Sequence, residues 1–194
     1  VRYISNHSSG KMGYALAAAA AAAGARTTLV SGPVALAQPE HVALKDVNSA
    51  AEMLQACEEL LPECDIFIAC AAVADYRPVV TQNQKIKKGP EEINLQLVKN
   101  PDIVSAVAAS GHPVFTVGFA AETQNVLEYA RGKMERKGLD MIVANDVSNQ
   151  SIGFNSDENE VIVLWTGGQQ ELQRASKNTV AGHIVRLIAA RLSR

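Results

Sequence analysis

Five short apolar runs alternate with helix-forming segments along this chain, and that alternation restricts the fold more than any other feature. The runs are residues 27–30, 41–44 (the weakest), 65–71, 114–117 and 141–144. The segment 65–71 is apolar after its first residue, the pattern of a strand buried on both faces of a parallel sheet. The separating segments read as helices. Residues 15–23 are an alanine block, helical by propensity alone, with Gly24 where a C′ glycine belongs. Ser49 with Glu52 forms a capping box for a helix whose apolar face is Leu54, Cys57, Leu60 and Leu61. Pro101 precedes a helix over 102–109, and two further helices are expected over 122–137 and 178–192.

Two segments depart from the alternation. Residues 93–98 alternate apolar and polar, so they read as a half-exposed strand. Residues 160–165 and 171–172 flank Thr166, Gly167 and Gly168 as a hairpin. The expected fold is therefore α/β: a Rossmann-like open, mostly parallel sheet flanked by helices, with a small antiparallel hairpin extension. In such sheets ligands bind beyond the carboxyl ends of the strands. The segments there are 31–33, 71–76, 118–122 and 145–147, rich in small residues, carboxylates and amides.

A chain of 194 residues suits one domain with a sizeable core. It is 47% hydrophobic and 20% charged, the balance of a folded globular protein. At a formal net charge of −2, an anionic ligand must be held by local basic clusters. Cys57, Cys64 and Cys70 form neither a metal signature nor a disulfide framework, which implies a reducing, cytoplasmic setting. No run approaches the ~18 apolar residues of a membrane span, so no membrane partner is expected. The chain begins at Val1 rather than methionine, which reads as a processed, excised or incomplete chain.

Four clusters carry candidate chemistry, each beside a plainer reading. In SNHSSGKMG, Gly10 and Gly13 allow close backbone approach, and Ser8 or Ser9 can cap the following helix. The N–H groups of that helix favour an anion, with Lys11 adding charge. Capping alone also explains the stretch. It is not a P-loop, since Met12 follows Lys11, nor a dinucleotide fingerprint, which needs a third glycine. Lys85, Lys87 and Lys88 lie in a polar, turn-rich stretch that could close over a polyphosphate or simply be solvated. The lack of interleaved aromatics argues against nucleic acid. Lys133 and Lys137 share a helix face, either toward a ligand or toward solvent. Asn100 and Asp102 flank Pro101, where capping suffices.

Other chemistries fare worse. Tyr129 and Lys133 match the Tyr-x-x-x-Lys of short-chain dehydrogenases, but the glycine fingerprint of an NAD(P) oxidoreductase is missing. His7, His41, His112 and His183 are scattered, without metal spacing. No G-x-S-x-G elbow suggests a hydrolase.

Taken in order, RYISNHSSGKMG, CAAVADYRP, KIKK, VKNPDIV, GFAAET, the lysine-bearing helix, ANDV and GFNSDENEV resemble the phosphopantothenate–cysteine ligase family. The likeness covers nearly the whole chain. It implies a CTP-dependent synthesis of 4′-phosphopantothenoyl-L-cysteine from 4′-phosphopantothenate and L-cysteine, in coenzyme A formation. The family's carboxylate substrate attacks the α-phosphate of CTP to give an acyl-cytidylate and pyrophosphate. The cysteine amine then releases CMP. Mg²⁺ is implied, its ligands unassigned, and so is a homodimer with 93–98 as a candidate interface. A flavin-dependent decarboxylase is the implied companion domain in bacteria.

By that resemblance Asn6 handles the acyl-cytidylate, and Lys85 serves the triphosphate under a flap. Ser8, Ser9, Gly10 and Gly13 match the phosphate-facing loop. Ala69, Cys70 and Ala71 match nucleotide-contacting backbone, and Asp75 a nucleotide-binding aspartate. Asn100, Pro101, Asp102, Ile103, Phe119, Lys133 and Lys137 complete the implied CTP site. The family normally places an apolar strand and a glycine-rich turn before this stretch. The chain is thus expected to lack that first strand, leaving two strands without their neighbour. A non-catalytic nucleotide-binding module is the remaining alternative.

Overall fold

The computed structural model describes residues 4–81, 84, 94–122, 124–146 and 156–192. Lys85, Lys87, Lys88 and Ile93, named above, lie outside the described residues, as do Val147 and the start of GFNSDENEV.

The alanine block forms helix α1 (Lys11–Ala22), and Gly24 follows its C-cap at φ +92°. Strands β1 (Thr27–Ser31) and β2 (Val42–Asp46) come next and pair in parallel. Helix α2 (Ala50–Leu60) starts at the expected Ser49, whose Oγ accepts from Glu52 N at 3.2 Å. The Glu52 carboxylate reaches back to Asn48 N and Ser49 Oγ. After a 3₁₀ turn (Leu61–Glu63) come β3 (Ile66–Ala69), β4 (Tyr76–Pro78) and β5 (Leu97–Lys99). Helix α3 (Ile103–Ala108), β6 (Phe115–Glu122), α4 (Val126–Lys137) and β7 (Met141–Asp146) follow. The hairpin β8 (Glu158–Trp165) and β9 (Gly168–Ser176) leads into the closing helix α5 (Lys177–Leu192).

The main sheet has the order β3-β6-β7-β8-β9. Strands β3, β6 and β7 run parallel, and the hairpin adds two antiparallel strands at one edge. Helices α1 and α5 cover one face: Ala15 and Leu16 pack with Val180, Ala181, Ile184 and Ile188 against Val117, Met141, Val143, Val161 and Val163. Alanines let α1 approach closely, and burying a side chain such as Leu16 is worth roughly 1.5–3 kcal/mol. The opposite face carries α4 over β6 and β7, through Ala130 and Met134 against Ile142, Ala144 and Leu164. A third cluster joins α2 to α3 and holds Val30 of β1 with Phe67 of β3.

Three details differ from the sequence reading. The apolar runs do not form one sheet: β1 and β2 stand as a separate two-stranded ladder, and β4 and β5 as another. Strand β3, read as buried on both faces, is only half-buried throughout, and among the described residues it pairs with β6 alone. The segments 118–122 and 145–146 are not loops but the ends of β6 and β7, which pair as far as Glu122 with Asp146. Among the described part of 93–98, only Leu97 and Val98 enter a strand, and β5 is exposed along its length.

Candidate functional site

The site grows from loop 70–75, which leaves the carboxyl end of β3. Four consecutive carbonyls of this loop accept hydrogen bonds from two asparagines. Asn6 Nδ2 donates to Val73 O at 3.2 Å and, more weakly, to Ala72 O at 3.4 Å. Asn100 Nδ2 donates to Ala74 O at 2.7 Å, and the Asn100 N–H to Asp75 O at 2.8 Å. Two asparagines from distant parts of the chain therefore fix the path of one loop. An amide suits this work, since its NH₂ offers two donors on one uncharged nitrogen.

On the Asn6 side, the chain turns into α1. The serine cap expected there is overturned: the N-cap is Gly10, at φ +74°, and it makes no side-chain cap bond. A Cβ at Gly10 would stand 2.9 Å from Val34 Cγ1, so backbone conformation and close approach both require glycine. Displaced from the cap, Ser8 accepts a long bond from Gly10 N at 3.4 Å, and Ser9 a long one from Lys11 N at 3.5 Å. Nothing crowds the space where a Cβ of Gly13 would be, and no acidic residue occupies the first turn of α1. The N-terminus keeps its positive potential.

On the Asn100 side, Asp102 caps α3 by accepting from Ser105 N at 3.2 Å, while its other oxygen pairs with Lys137 Nζ at 2.7 Å. Pro101 suits the turn just before that helix, and Ile103 turns into the core. Lys133, one turn earlier on α4, donates to Phe119 O at 2.9 Å. Burial and the neighbouring Lys137 charge hold Lys133 below the ordinary lysine range, against the pull of Glu122, Asp102 and Asp75. Asp102 lies below the usual carboxylate range. Burial works the other way there but is outweighed by hydrogen bonds from Lys137 and Ser105. The solvated alternative for these lysines does not hold, because both are half-buried and engaged. Tyr129, by contrast, is exposed.

Three participants escaped the sequence reading: Asp157, Lys177 and Arg77. Lys11 Nζ pairs with Asp157 Oδ1 at 2.6 Å, across 146 positions of sequence. Lys177 is buried at the start of α5 and donates to Ser156 O at 2.6 Å. Burial, and then the Lys11 charge, hold it below the ordinary lysine range, against Asp157 and Cys70. Burial pushes the Cys70 thiol up to about 12, against Lys177, which leaves it a neutral group rather than a nucleophile. Arg77 Nη1 donates to Lys99 O at 2.7 Å and to Asn100 Oδ1 at 3.2 Å. No local pattern could have revealed these pairs, since their partners come from remote segments.

The structure thus brings together Asn6, Ala71, Asp75, Asn100, Asp102, Phe119, Lys133 and Lys137 around one loop. Ser8, Ser9, Gly10 and Gly13 lie at the adjoining helix end, and Ala69 and Cys70 at the end of β3. Lys85 lies outside the described residues. Among those described, no group of three His, Cys, Asp or Glu residues could cage a metal ion. All four histidines are exposed. The described residues contain no helix long and apolar enough to cross a membrane. The arrangement suits a polyanion with a flat, backbone-read moiety: amides and small residues line the loop, and cations flank it.

The family described as DNA/pantothenate metabolism flavoprotein C-terminal domain matches residues 1–192. The chain is 54% identical over 192 residues to the coenzyme A biosynthesis bifunctional protein CoaBC of Haemophilus influenzae, covering 98% of this chain and 48% of that protein. It therefore spans about half the length of the curated relatives it matches. Among solved structures, the C-terminal domain of a CoaBC superimposes with a TM-score of 0.84 at 38% identity, covering 100% of this chain and 88% of that one. A Cab2 mutant in complex with phosphopantothenate-cysteine shares the fold, with a TM-score of 0.75 at 17% identity over 98% of this chain and 80% of that one.

Proposed function

Because this chain belongs to the DNA/pantothenate metabolism flavoprotein C-terminal domain family, we propose that it is a phosphopantothenate–cysteine ligase driven by CTP. The relatives' role in coenzyme A biosynthesis supports this reading. The observation that carries it is the loop 72–75, whose carbonyls are held by Asn6 on one side and Asn100 on the other. Asn6 is in this reading the acyl-handling amide, and the loop backbone beside it reads the nucleotide.

In this reading the nucleotide lies along the end of β3 and loop 70–75, with its triphosphate toward Lys133, Lys137 and the N-terminus of α1; Lys85, outside the described residues, is the further lysine assigned to it. The carboxylate of 4′-phosphopantothenate attacks the α-phosphorus, and pyrophosphate leaves with the electron pair of the cleaved P–O bond. Lysines offset the charge gathering on the leaving group. Asn6 carries two N–H donors. One can hold Val73 O while the other, now in a long 3.4 Å contact with Ala72 O, turns to the acyl oxygen. Donation there stabilises the oxyanion when the amine of cysteine adds to the acyl carbon and CMP departs. No covalent enzyme intermediate is required, in keeping with the neutral thiol of Cys70. Catalysis then rests on positioning and electrostatics.

Magnesium fits this donor set only in company with the nucleotide, since such an ion takes one or two carboxylates plus phosphate oxygens, and the exposed Asp75 is the carboxylate on the loop. It would neutralise triphosphate charge. The exposed β4–β5 ribbon, with Tyr76, Leu97 and Val98, is the surface we assign to a homodimer. A flavin-dependent decarboxylase is the proposed companion domain, and the cytoplasm the proposed compartment.

The test is a product assay on the purified protein. CMP and pyrophosphate should form only with both CTP and 4′-phosphopantothenate, and 4′-phosphopantothenoyl-L-cysteine only when cysteine is added. AMP or ADP production with CTP inert would overturn the nucleotide assignment. NADPH turnover would point instead to the oxidoreductase, and CTP binding without turnover to a binding module.

A further inference from the structure

We propose that Arg77 is a positioning residue for nucleotide selectivity, acting through Asn100 on the backbone of loop 72–75. The proposal rests on the reading of that loop as the nucleotide-contacting segment. Arg77 stands on β4, directly across from Val98 of β5. Its guanidinium donates to Lys99 O at 2.7 Å, which anchors it across the ribbon, and to Asn100 Oδ1 at 3.2 Å.

The second bond decides which way Asn100 faces. The two ends of an asparagine amide are nearly the same shape, so their surroundings choose the orientation. A guanidinium has only donors. With Oδ1 toward Arg77, Nδ2 faces Ala74 O and donates at 2.7 Å. Turned over, the amide would set donor against donor at Arg77 and acceptor against acceptor at Ala74. Arg77 therefore locks the amide in the orientation that holds Ala74 O.

Holding that carbonyl also aims the next donor. The Ala74 carbonyl and the Asp75 N–H belong to one planar trans peptide and point in opposite directions. Asn6 does the same for the preceding peptide, since fixing Val73 O aims the Ala74 N–H. Two successive N–H groups are thus directed away from the asparagines. Cytosine offers two ring acceptors, at O2 and N3, whereas N3 of uracil is a donor. A backbone with fixed N–H directions can tell the two apart, and a loosened one cannot.

The experiment is steady-state kinetics on the full-length protein with Arg77→Ala, Arg77→Lys, Asn100→Ala and the Arg77→Ala/Asn100→Ala pair. Arg77 is exposed, so its variants should keep their unfolding transition. Arg77→Ala should raise KM for CTP roughly three- to ten-fold, the net worth of about one hydrogen bond acting indirectly through Asn100. It should also lower the CTP-over-UTP ratio, with KM for 4′-phosphopantothenate and cysteine unmoved. Arg77→Lys should recover part of the loss, because a point charge serves one acceptor in place of two. Since Arg77 acts through Asn100, adding Arg77→Ala to Asn100→Ala should cost nothing more. An unchanged KM and selectivity in Arg77→Ala, or full additivity in the pair, would overturn the proposal. If the unmodified protein turns over with no dependence on CTP, the functional reading fails and this inference with it.

Discussion

Lys137 Nζ and Asp102 Oδ2 stand 2.7 Å apart, joining the end of α4 to the start of α3 beside the candidate nucleotide loop. The same aspartate caps α3 through Ser105 N. Its two oxygens thus serve two purposes, and substitutions can separate them. Asp102→Asn keeps an N-cap acceptor and loses the ion pair. Asp102→Ala loses both and should be less stable than Asp102→Asn by about 1 kcal/mol, the usual worth of a cap. Urea unfolding of both variants measures the difference.

The same residue gives a pH prediction. Its pKa is lowered on folding, so the folded state favours the ionised carboxylate. That stability is fully present above the ordinary aspartate range, near ~3.9, and is lost as pH falls through the lower folded value. Stability measured between pH 6 and pH 3 should fall less steeply in Asp102→Asn than in the unmodified protein. Equal slopes would remove Asp102 from the account.

Lys133 behaves in the opposite sense. Burial lowers its pKa, so it loses its proton at a lower pH than an exposed lysine. If its charge serves the triphosphate, kcat/KM for CTP should decline on the alkaline side before pH ~10.4, the ordinary lysine value. In Lys133→Arg that decline should disappear, because arginine stays charged. Lys133→Met should lower kcat/KM at neutral pH by roughly ten-fold or more, in line with the loss of a charged group worth about 1.5–3 kcal/mol. A profile with the same alkaline limb in Lys133→Arg would place the titration elsewhere.

Asn6→Asp removes the donor to Val73 O and sets a carboxylate against carbonyl oxygens. Pyrophosphate should still be released, while transfer to cysteine slows by roughly 10²-fold, the usual effect of losing one oxyanion donor. Acyl-cytidylate should then accumulate in a single turnover. An unaltered rate of product formation would reject the role.

Gly10→Ala tests the turn into α1. A left-handed residue with a Cβ costs about 1–2 kcal/mol, and the 2.9 Å approach to Val34 Cγ1 adds crowding worth about 1–3 kcal/mol. Val34→Ala introduced alongside should recover the crowding share and leave the backbone share. Denaturation of the two single variants and the pair separates the two contributions. Strict additivity would mean that the Val34 contact does not matter.

Much of this was legible in the residues themselves. Strand and helix positions follow from apolar periodicity. The caps at Ser49 and Asp102 follow from side chains that reach N–H groups three residues away. These are short-range energies, and the local sequence specifies them. The ordered motifs likewise pointed to one family, and the chain belongs to it. Where a local rule had two solutions, the sequence could not choose. Serine at the N-cap of α1 is a good local answer, yet Val34, 24 positions away, crowds the turn and makes Gly10 the cap.

The rest was decided by tertiary structure, because it depends on which distant groups meet. Nothing near Lys11 announces Asp157, and nothing near Asn6 announces Val73 O. The half-burial of β3 was equally hidden. Burial belongs to a strand's neighbours, and residues 66–69 are apolar whether one strand or two pair with them. The amino acids alone therefore determined most of the elements and the family to which the chain belongs. Only the fold determined that two asparagines hold one loop between them, since that requires segments far apart in sequence to close on four consecutive carbonyls.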